Sequence, residues 1–378
     1  MSATSPAITV PFLDLRATYV ELQDEIDAAL RRTMDSGWYL LGRELETFER
    51  QWAAYCAARH GLGVANGLDA LVLALRALDI GPGDEVIVPS NTYIATWLAV
   101  SAVGARPVPV EPDERTWNID PARAADAVTS RTRALLPVHL YGQPADLGAL
   151  LALARSAGLR VLEDGAQAHG AACGGQRLGA HGDIVAWSFY PGKNLGAFGD
   201  GGAITTNDDA LADRVRVLRN YGSRVKYVNE VQGVNSRLDE LQAAVLAVKL
   251  AHLDAWNARR REQADRYTRA LAGTPLALPW VPAWADPVWH LYVVRVPGGA
   301  PVRTRLQEHL AAQGVGTLIH YPIPPHAQAA YRAAGYTDDD FPIATRLAGE
   351  VLSLPIGPHL TRPQQDHIIE AILGFDAF

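Results

Sequence analysis

Cysteine is scarce in this sequence: only Cys56 and Cys173 occur among 378 residues. The two cysteines are isolated and match no metal-ligand spacing, so we expect reduced thiols that pack as small buried hydrophobic side chains. This usage fits a reducing compartment. The histidines show no close ligand pair such as H-x-x-x-H on a helix, which argues against a metal enzyme.

Long apolar runs and a basic surplus are also lacking. No stretch of about 18 apolar residues exists to span a membrane, and the first 15 residues lack the basic and apolar regions of a signal peptide. Charged residues make up 20% of the chain and the net charge is -7, which gives no basic surface for nucleic acid. The densest basic cluster is Arg259, Arg260 and Arg261, where we expect a solvated helix face. These features predict a soluble, cytoplasmic protein without a nucleic-acid or membrane partner.

Short apolar runs alternate with helical patterns through the first two thirds of the chain. Strands are predicted at 84–90, 106–111, 133–141, 160–167, 183–190 and 201–207. Helices are predicted at 70–78, 91–104, 146–158 and, as one long helical region, 237–271. This alternation predicts an α/β fold with a mostly parallel sheet that helices cover on both faces.

The character of the sequence changes after residue 271, where a stretch rich in proline and tryptophan looks like a connection. An apolar run at 288–296 and helical patterns around 302–314, 342–352 and 361–374 predict a smaller α/β domain. We therefore expect a large domain with an N-terminal arm over residues 1–255 and a small C-terminal domain over 256–378.

One lysine stands in unusual surroundings, in the segment SFYPGKNLGAFGDGGA at residues 188–203. Glycines around Lys193 allow close backbone approach, and Phe189, Tyr190 and Phe198 could keep water away from the amine. Such surroundings lower the pKa of a lysine and make it a nucleophile. An exposed loop lysine explains the local pattern equally well.

A glycine turn at VANGLDALVLALRAL (residues 64–78) opens directly into a helical pattern. The backbone amides of Gly67 and Leu68 would point out of a helix N-terminus, which is a ready site for a phosphate. An ordinary helix start capped by Asn66 or Asp69 is the alternative. The P-loop pattern fails around Lys193, and no G-x-G-x-x-G follows a strand, so nucleotide hydrolysis and the usual dinucleotide site are not expected.

A carboxylate, Asp164, falls at the carboxyl end of a predicted strand, where open α/β sheets bind ligands. A buried carboxylate needs a cationic partner, and a protonated pyridine nitrogen would be one. A helix N-cap is the other reading. With Lys193, Ser188 and an aromatic cover from Tyr93, this arrangement describes a pocket for a phosphorylated ring bound through an imine, namely pyridoxal phosphate.

Four segments, NGLDAL, EDGAQAHGA, SFYPGKNLGAFGDGGAI and NSRLDELQAA, resemble the pyridoxal-phosphate-dependent nucleotide-sugar aminotransferases of the aspartate-aminotransferase-like fold. The resemblance runs from residue 11 to residue 326. It implies that Lys193 forms the imine with the cofactor and that Asp164 keeps the pyridine nitrogen protonated. It further implies ring or phosphate contacts from Gly67, Leu68, Tyr93, Gln167 and Ser188. Leu68 departs from relatives that carry threonine or serine there, so a side-chain hydroxyl to the phosphate is lost.

The same resemblance implies ping-pong transamination, because one lysine serves both half-reactions. Residues 218–244 and the segment HYPIPPH look most like enzymes that aminate C3 of dTDP-3-keto-6-deoxyhexoses, with glutamate as the amino-acid donor. Candidates for sugar or diphosphate contacts are Tyr221, Arg224, Lys226, Tyr227, His320, Tyr321 and His326. For His326, lining the site and packing in the core are equally good interpretations, whereas His290 is expected to be a packed or hydrogen-bonded histidine. A C4 aminotransferase acting on a nucleotide-4-keto sugar and a non-catalytic pyridoxal-phosphate-binding regulator remain alternatives.

Asn235 resembles the residue that family members supply across a dimer to the phosphate of the neighbouring subunit. A homodimer with shared active sites is therefore expected. The alternative is that Asn235 caps a helix that begins near Arg237.

Overall fold

The computed structural model describes residues 9–376 of the chain. Residues 1–8, which belong to the segment predicted not to be a signal peptide, and residues 377–378 lie outside the described residues. Within the described part, none of the helices has the length and apolar character required to cross a membrane.

Thirteen α-helices are formed by residues 9–376. They are α1 (Leu15–Glu21), α2 (Gln23–Ser36), α3 (Arg43–Tyr55), α4 (Gly67–Ala77), α5 (Ala95–Ala102), α6 (Pro121–Asp126), α7 (Leu147–Ala157), α8 (Asp209–Leu218), α9 (Glu240–Leu250), α10 (Leu253–Leu271), α11 (Gly299–Ala312), α12 (Pro342–Glu350) and α13 (Arg362–Leu373). Short 3-10 helices lie at Leu140–Gly142, Pro325–Ala327, Ala329–Ala334 and Asp338–Asp340.

Fourteen strands complete the regular structure of the described chain. They are β1 (His60–Val64), β2 (Glu85–Pro89), β3 (Arg106–Val110), β4 (Thr132–Leu135), β5 (Arg160–Asp164), β6 (Ala172–Cys173), β7 (Gln176–Arg177), β8 (Ile184–Ser188), β9 (Gly202–Thr206), β10 (Ser223–Val225), β11 (Val228–Asn229), β12 (Ala285–Asp286), β13 (Tyr292–Arg295) and β14 (Val351–Leu354).

The central sheet has seven strands in the order β1-β9-β8-β5-β4-β2-β3. Neighbours from β8 to β3 pair in parallel, and β9 alone runs antiparallel to both of its neighbours. The prediction of a mostly parallel sheet is therefore confirmed. Parallel strands bring their carboxyl ends to one edge, so Asp164 at the end of β5 and Ser188 at the end of β8 lie at the same edge of the sheet.

Alternate residues of the strands feed cores on opposite faces of the sheet. Ile184 and Ala186 of β8 pack into a core with α4, α5 and α8, whereas Val185 and Trp187 pack into a second core with α3 and α9. A strand that is buried on both faces must be apolar throughout, which explains the unbroken apolar runs in the sequence.

A separate core forms in the last third of the chain around the antiparallel pair β13 and β14, with α11 and α13 against it. Helix α10 connects the cores, because Leu253 packs in the sheet core and Tyr267 in the smaller one. We propose a division of the chain into 1–255 and 256–378 on this basis. Val10, at the start of the N-terminal arm, pairs with Val315 and contributes to the smaller core.

Three details differ from the predictions. The predicted helical region 237–271 is two helices, α9 and α10, with a break at residues 251–252, and the last residues of the predicted helix 342–352 begin strand β14. Cys56 is buried as expected, whereas Cys173 is only half-buried at the sheet formed by β6, β7 and β12.

Candidate active site

A cavity of about 760 Å³ opens at the carboxyl edge of the central sheet. The ends of β5 and β8, the N-terminus of α4 and the loop after β2 form its walls. It brings together nine of the residues that the sequence predicts for the site: Gly67, Leu68, Tyr93, Asp164, Gln167, Ser188, Lys193, His320 and Tyr321. Residues as far apart in the chain as Gly67 and Tyr321 therefore face one space.

Lys193 lies in the loop between β8 and β9 and faces this cavity. Its backbone amide donates to Tyr190 O at 2.8 Å, which closes a tight turn. Desolvation lowers the pKa of its ammonium from 10.5 to about 8, and the charge of Asp164 opposes this shift. The three aromatic residues expected to exclude water differ in position, because Phe189 is fully buried whereas Tyr190 and Phe198 are exposed.

Asp164 is buried at 6% exposure, and turns rather than a helix follow it at residues 165–171. It therefore does not cap a helix. Its Oδ2 accepts a hydrogen bond from Thr96 Oγ1 at 3.0 Å, and its Oδ1 accepts one from the Ala166 amide at 3.1 Å. Burial raises the pKa of Asp164, while these hydrogen bonds and the charge of Lys193 act in the opposite direction. Among residues 9–376, no ion pair includes this carboxylate, so its oxygens are available to a cationic ligand.

The N-terminus of α4 and Ser188 form a narrow cradle. Asn66 caps this helix through Oδ1, which accepts from the Asp69 amide at 2.8 Å, so the predicted cap exists. The amides of Gly67 and Leu68 are in the first turn, where no carbonyl of the helix itself can reach them. A Cβ atom at Gly67 would lie 2.6 Å from Ser188 Cβ, so only glycine keeps this space open. Helix cap and phosphate site are compatible here.

Gln167 joins two walls of the cavity. Its Oε1 accepts from the Tyr141 amide at 2.6 Å and its Nε2 donates to Tyr321 Oη at 2.9 Å. The ring of Tyr93 lies 5.2 Å from the ring of Tyr321, and Tyr93 is half exposed and lines the cavity. His320 is bound through Nδ1 to Ser353 Oγ at 2.8 Å, and burial lowers its pKa to about 4, so the ring is neutral.

Five predicted residues lie on a separate segment, residues 220–235, outside this cavity. They are Tyr221, Arg224, Lys226, Tyr227 and Asn235. Most of the segment is exposed around the short β10–β11 hairpin, and Tyr227 reaches 87% exposure. Helix α9 begins at Glu240 with Asp239 as its N-cap, so Asn235 does not cap it. Arg224 pairs with Asp213 and Glu230, which already neutralise its charge.

His326 lies outside the cavity as well, packed 4.8 Å from the ring of Phe341. Its Nε2 is 3.3 Å from Asp338 Oδ1 and 3.3 Å from Thr345 Oγ1. Of its two interpretations, the geometry favours packing in the core.

His290 and Arg260 are among the residues of the cavity wall that were not predicted to be there. His290 forms a hydrogen bond, as expected, with Asn194 Oδ1 at 3.2 Å, but it also faces the cavity. The expectation of a solvated face for all three arginines is wrong for Arg260, which is 3% exposed, lines the cavity and donates to three backbone carbonyls, those of Trp289, His290 and Ile356. A signal was available: along α10 the buried Trp256, Arg260 and Tyr267 follow helical spacing, which places this arginine on the apolar stripe.

Comparisons with known proteins show the family of the chain. The sequence model of the DegT/DnrJ/EryC1/StrS aminotransferase family matches residues 20–373. The chain is 57% identical, over 98% of its own length and 97% of the relative's, to the dTDP-3-amino-3,4,6-trideoxy-alpha-D-glucose transaminase of Streptomyces venezuelae.

Solved structures superpose closely. DesV of S. venezuelae, solved in complex with a ketimine intermediate, is 58% identical with a TM-score of 0.94, covering 96% of this chain and 97% of that one. NtdA of Bacillus subtilis, solved with bound cofactor PMP, is 32% identical with a TM-score of 0.90, covering 99% of this chain and 86% of that one.

Proposed function

Because the chain belongs to the DegT/DnrJ/EryC1/StrS aminotransferase family, we propose that it aminates C3 of a dTDP-3-keto-6-deoxyhexose. The amino donor is L-glutamate, and the products are a dTDP-3-amino-3,6-dideoxyhexose and 2-oxoglutarate. The observation that carries this proposal is a desolvated lysine, Lys193, in one cavity with the buried carboxylate of Asp164. The transaminase of S. venezuelae, named for a dTDP-3-amino sugar, supports the choice of substrate class.

The cofactor is pyridoxal 5′-phosphate, which when bound accepts the electron pair of a substrate Cα–H bond into its protonated ring. The residues fit this group. The cradle at Gly67 would be filled by a single Cβ atom, and it presents two amides and the Ser188 hydroxyl, which suits a phosphate. Tyr93 and Gln167 both line the cavity, where Tyr93 would stack on the ring and Gln167 would contact its 3-hydroxyl.

Lys193 is proposed to carry the proton of the reaction. The lowered pKa of about 8 makes this amine easier to deprotonate than that of an exposed lysine, so Nζ would hold the cofactor and could move a proton at Cα of the donor. The carboxylate of Asp164 would accept a hydrogen bond from the protonated ring nitrogen. The positive charge of that nitrogen offsets the desolvation that otherwise raises the pKa of Asp164.

The active unit is proposed to be a symmetric homodimer with shared sites. Tyr221, Arg224, Lys226, Tyr227 and Asn235 lie outside the cavity of their own subunit, on an exposed segment with large apolar side chains. Reaching across a two-fold axis would bring Asn235 to the partner's phosphate and the other four residues to its nucleotide sugar. His320 and Tyr321 contact the sugar from the same subunit as Lys193. We do not assign His326 to this substrate site.

A cytoplasmic location is also proposed. Cys56 and Cys173 are both free thiols, which suits a compartment that keeps cysteines reduced.

One coupled assay tests the proposed reaction. Purified protein is incubated with glutamate together with one sugar at a time from a panel of dTDP-3-keto and dTDP-4-keto sugars. The products of each mixture are identified by NMR. We expect amination at C3. An amine at C4 would assign the alternative regiochemistry, and cofactor binding without turnover on any sugar would favour a regulator.

A further inference from the structure

Thr96 stands behind Asp164 at the second residue of α5 and is 1% exposed. Its Oγ1 lies 3.0 Å from Asp164 Oδ2 and 3.1 Å from Thr92 Oγ1. The three side chains therefore form one buried chain of hydrogen bonds, from the loop after β2 to the end of β5. Thr96 was not among the residues that the sequence pattern identified.

The direction of this chain follows from the charge on Asp164. An ionised carboxylate only accepts hydrogen bonds, so the single proton of the Thr96 hydroxyl must point to Oδ2. The proton between the two threonines must then come from Thr92. If Asp164 were protonated, this constraint would be lifted, and both hydroxyls could turn around. The arrangement therefore responds to the charge of the carboxylate.

Burial disfavours the charge that Asp164 needs to hold a ring cation. Against this, the Ala166 amide donates to Oδ1, and Thr96 is the side chain that donates to Oδ2 within the described structure. The charged or titratable groups that act on Asp164 are Lys193 and His139, which favour its ionised form, and Tyr321 lies close enough to be affected by it. A hydrogen bond to a buried charged group contributes more to its stability than one between neutral groups.

We propose that Thr96 is a positioning residue: its hydroxyl keeps Asp164 ionised and fixes the orientation of the carboxylate towards the ring nitrogen of the cofactor. This inference rests on the proposed function, since it gives Asp164 a cationic ligand. Thr96 itself does not line the cavity.

Matched variants separate the hydroxyl from the packing. Thr96→Val keeps the shape and removes the hydroxyl, while Thr96→Ser keeps the hydroxyl and removes a methyl group. Thr33→Val is the control, because Thr33 is also a helical threonine of 1% exposure whose Oγ1 donates, at 2.9 Å, to Ala29 O. The dissociation constant of pyridoxal phosphate is measured for each apoprotein across pH, together with kcat.

Thr96→Val is expected to bind pyridoxal phosphate about tenfold more weakly, as loss of a hydrogen bond to a charged group implies. Because the donor lowers the pKa of Asp164, its removal raises that pKa, so affinity should begin to fall at a higher pH as the solution is acidified. Thr96→Ser should restore both affinity and its pH profile, and Thr33→Val should leave them unchanged.

Equal affinity and pH profile in Thr96→Val and Thr33→Val would overturn the proposal. If Thr96→Val does not fold, Thr96→Ala is compared with Thr96→Ser, because these two differ by the hydroxyl alone, and equal affinities would overturn it in the same way. A wild-type protein that binds no pyridoxal phosphate, or binds it without turnover, would instead refute the proposed function.

Discussion

At the scale of single residues, burial of charge sets the chemistry of this site. Asp164 and Lys193 are both desolvated, and each weakens the effect of burial on the pKa of the other. A buried charge without a partner is costly. The site therefore suits a ligand that places a positive charge beside the Asp164 carboxylate and an electrophilic atom beside the Lys193 amine. A protonated pyridine aldehyde has both properties.

Asp164→Asn tests the carboxylate. The amide has nearly the same shape but no charge, so the ring nitrogen should lose its proton and the electron sink should weaken. We expect kcat to fall by roughly three orders of magnitude with a nearly unchanged melting temperature, measured by steady-state kinetics and calorimetry. Near-normal turnover would show that the electron sink does not depend on this carboxylate.

Burial of a second lysine, Lys249, affects the stability of the protein. Lys249 is 4% exposed at the end of α9, donates to Gly196 O at 2.7 Å and lies 4.1 Å from the ring of Phe198, and no carboxylate of the described chain pairs with it. Desolvation lowers its pKa from 10.5 to about 8. The folded state thus binds this proton less tightly than the unfolded state, so the penalty is complete below about pH 8 and fades towards pH 10.5.

Lys249→Met should therefore be more stable than the parent at pH 7, by on the order of 2 kcal/mol in the free energy of unfolding. This advantage should shrink as the pH rises above 8, in denaturant titrations at several pH values. The exposed Lys226 provides the control, since Lys226→Met should change stability little at any pH. An advantage of Lys249→Met that does not vary with pH would assign the gain to packing instead.

Arg260 and Thr96 show why residue-level prediction stops where it does. The local sequence around Arg260 is strongly charged, and only the three carbonyl acceptors brought by residues 289, 290 and 356 make its burial favourable. Those acceptors come from distant parts of the chain. Thr96 has no motif of its own, and its role depends on a single contact with Asp164 across 68 residues.

At the scale of elements, the site depends on where strands end and helices begin. The six predicted strands overlap β2, β3, β4, β5, β8 and β9, most of which are buried on both faces and leave a continuous apolar signature, whereas the two-residue strands β6 and β7 were not predicted. Strand β1, HGLGV, was not predicted, because two glycines in five residues hide its pattern and its pairing with β9 is long-range. The break between α9 and α10 lies at Ala251 and His252, neither of which ends a helix by itself.

The start of α4 provides a prediction at this scale. Gly67→Ala should favour the helix by propensity, yet its Cβ would lie 2.6 Å from Ser188 Cβ and intrude on the cradle. We expect affinity for pyridoxal phosphate to fall at least about tenfold in fluorescence titrations of the folded apoprotein, and the contact with Ser188 should also lower stability.

Gly148→Ala is the matched control, because Gly148 also lies in the first turn of an 11-residue helix, α7. The nearest atom to its added Cβ would be Asp146 Oδ1 at 3.4 Å, and α7 does not line the cavity. If both variants retain full affinity, the cradle does not hold the phosphate.

At the scale of the whole molecule, one subunit explains only part of the sequence pattern. The segment 220–235 carries residues that resemble nucleotide-sugar contacts, yet none of them lines the cavity of its own subunit. A sequence motif records which residues act together, but it does not record which copy of the chain supplies them. This is why the resemblance, and no pattern of burial or periodicity, indicated a shared site.

Subunit exchange tests that arrangement. Inactive Lys193→Ala is mixed with inactive Asn235→Asp, whose added charge should repel the phosphate. Under sharing, each mixed dimer has one site with both defects and one with neither, so random exchange should restore about a quarter of the wild-type activity. Asn207→Asp, the same change outside the segment, should be active on its own. If subunit exchange is verified and no activity is recovered, Asn235 acts within its own subunit and not at the partner's site.

The most direct test of the account uses the lysines themselves. The chain contains three, Lys193, Lys226 and Lys249, and Lys249 shares with Lys193 both a pKa of about 8 and a side cavity of about 290 Å³. The protein loaded with pyridoxal phosphate is reduced with borohydride, digested and mapped by mass spectrometry. We expect loss of the imine absorption band and a pyridoxyl label on Lys193 alone. A label on Lys249 or Lys226, with Lys193 unmodified, would contradict the assignment of the site.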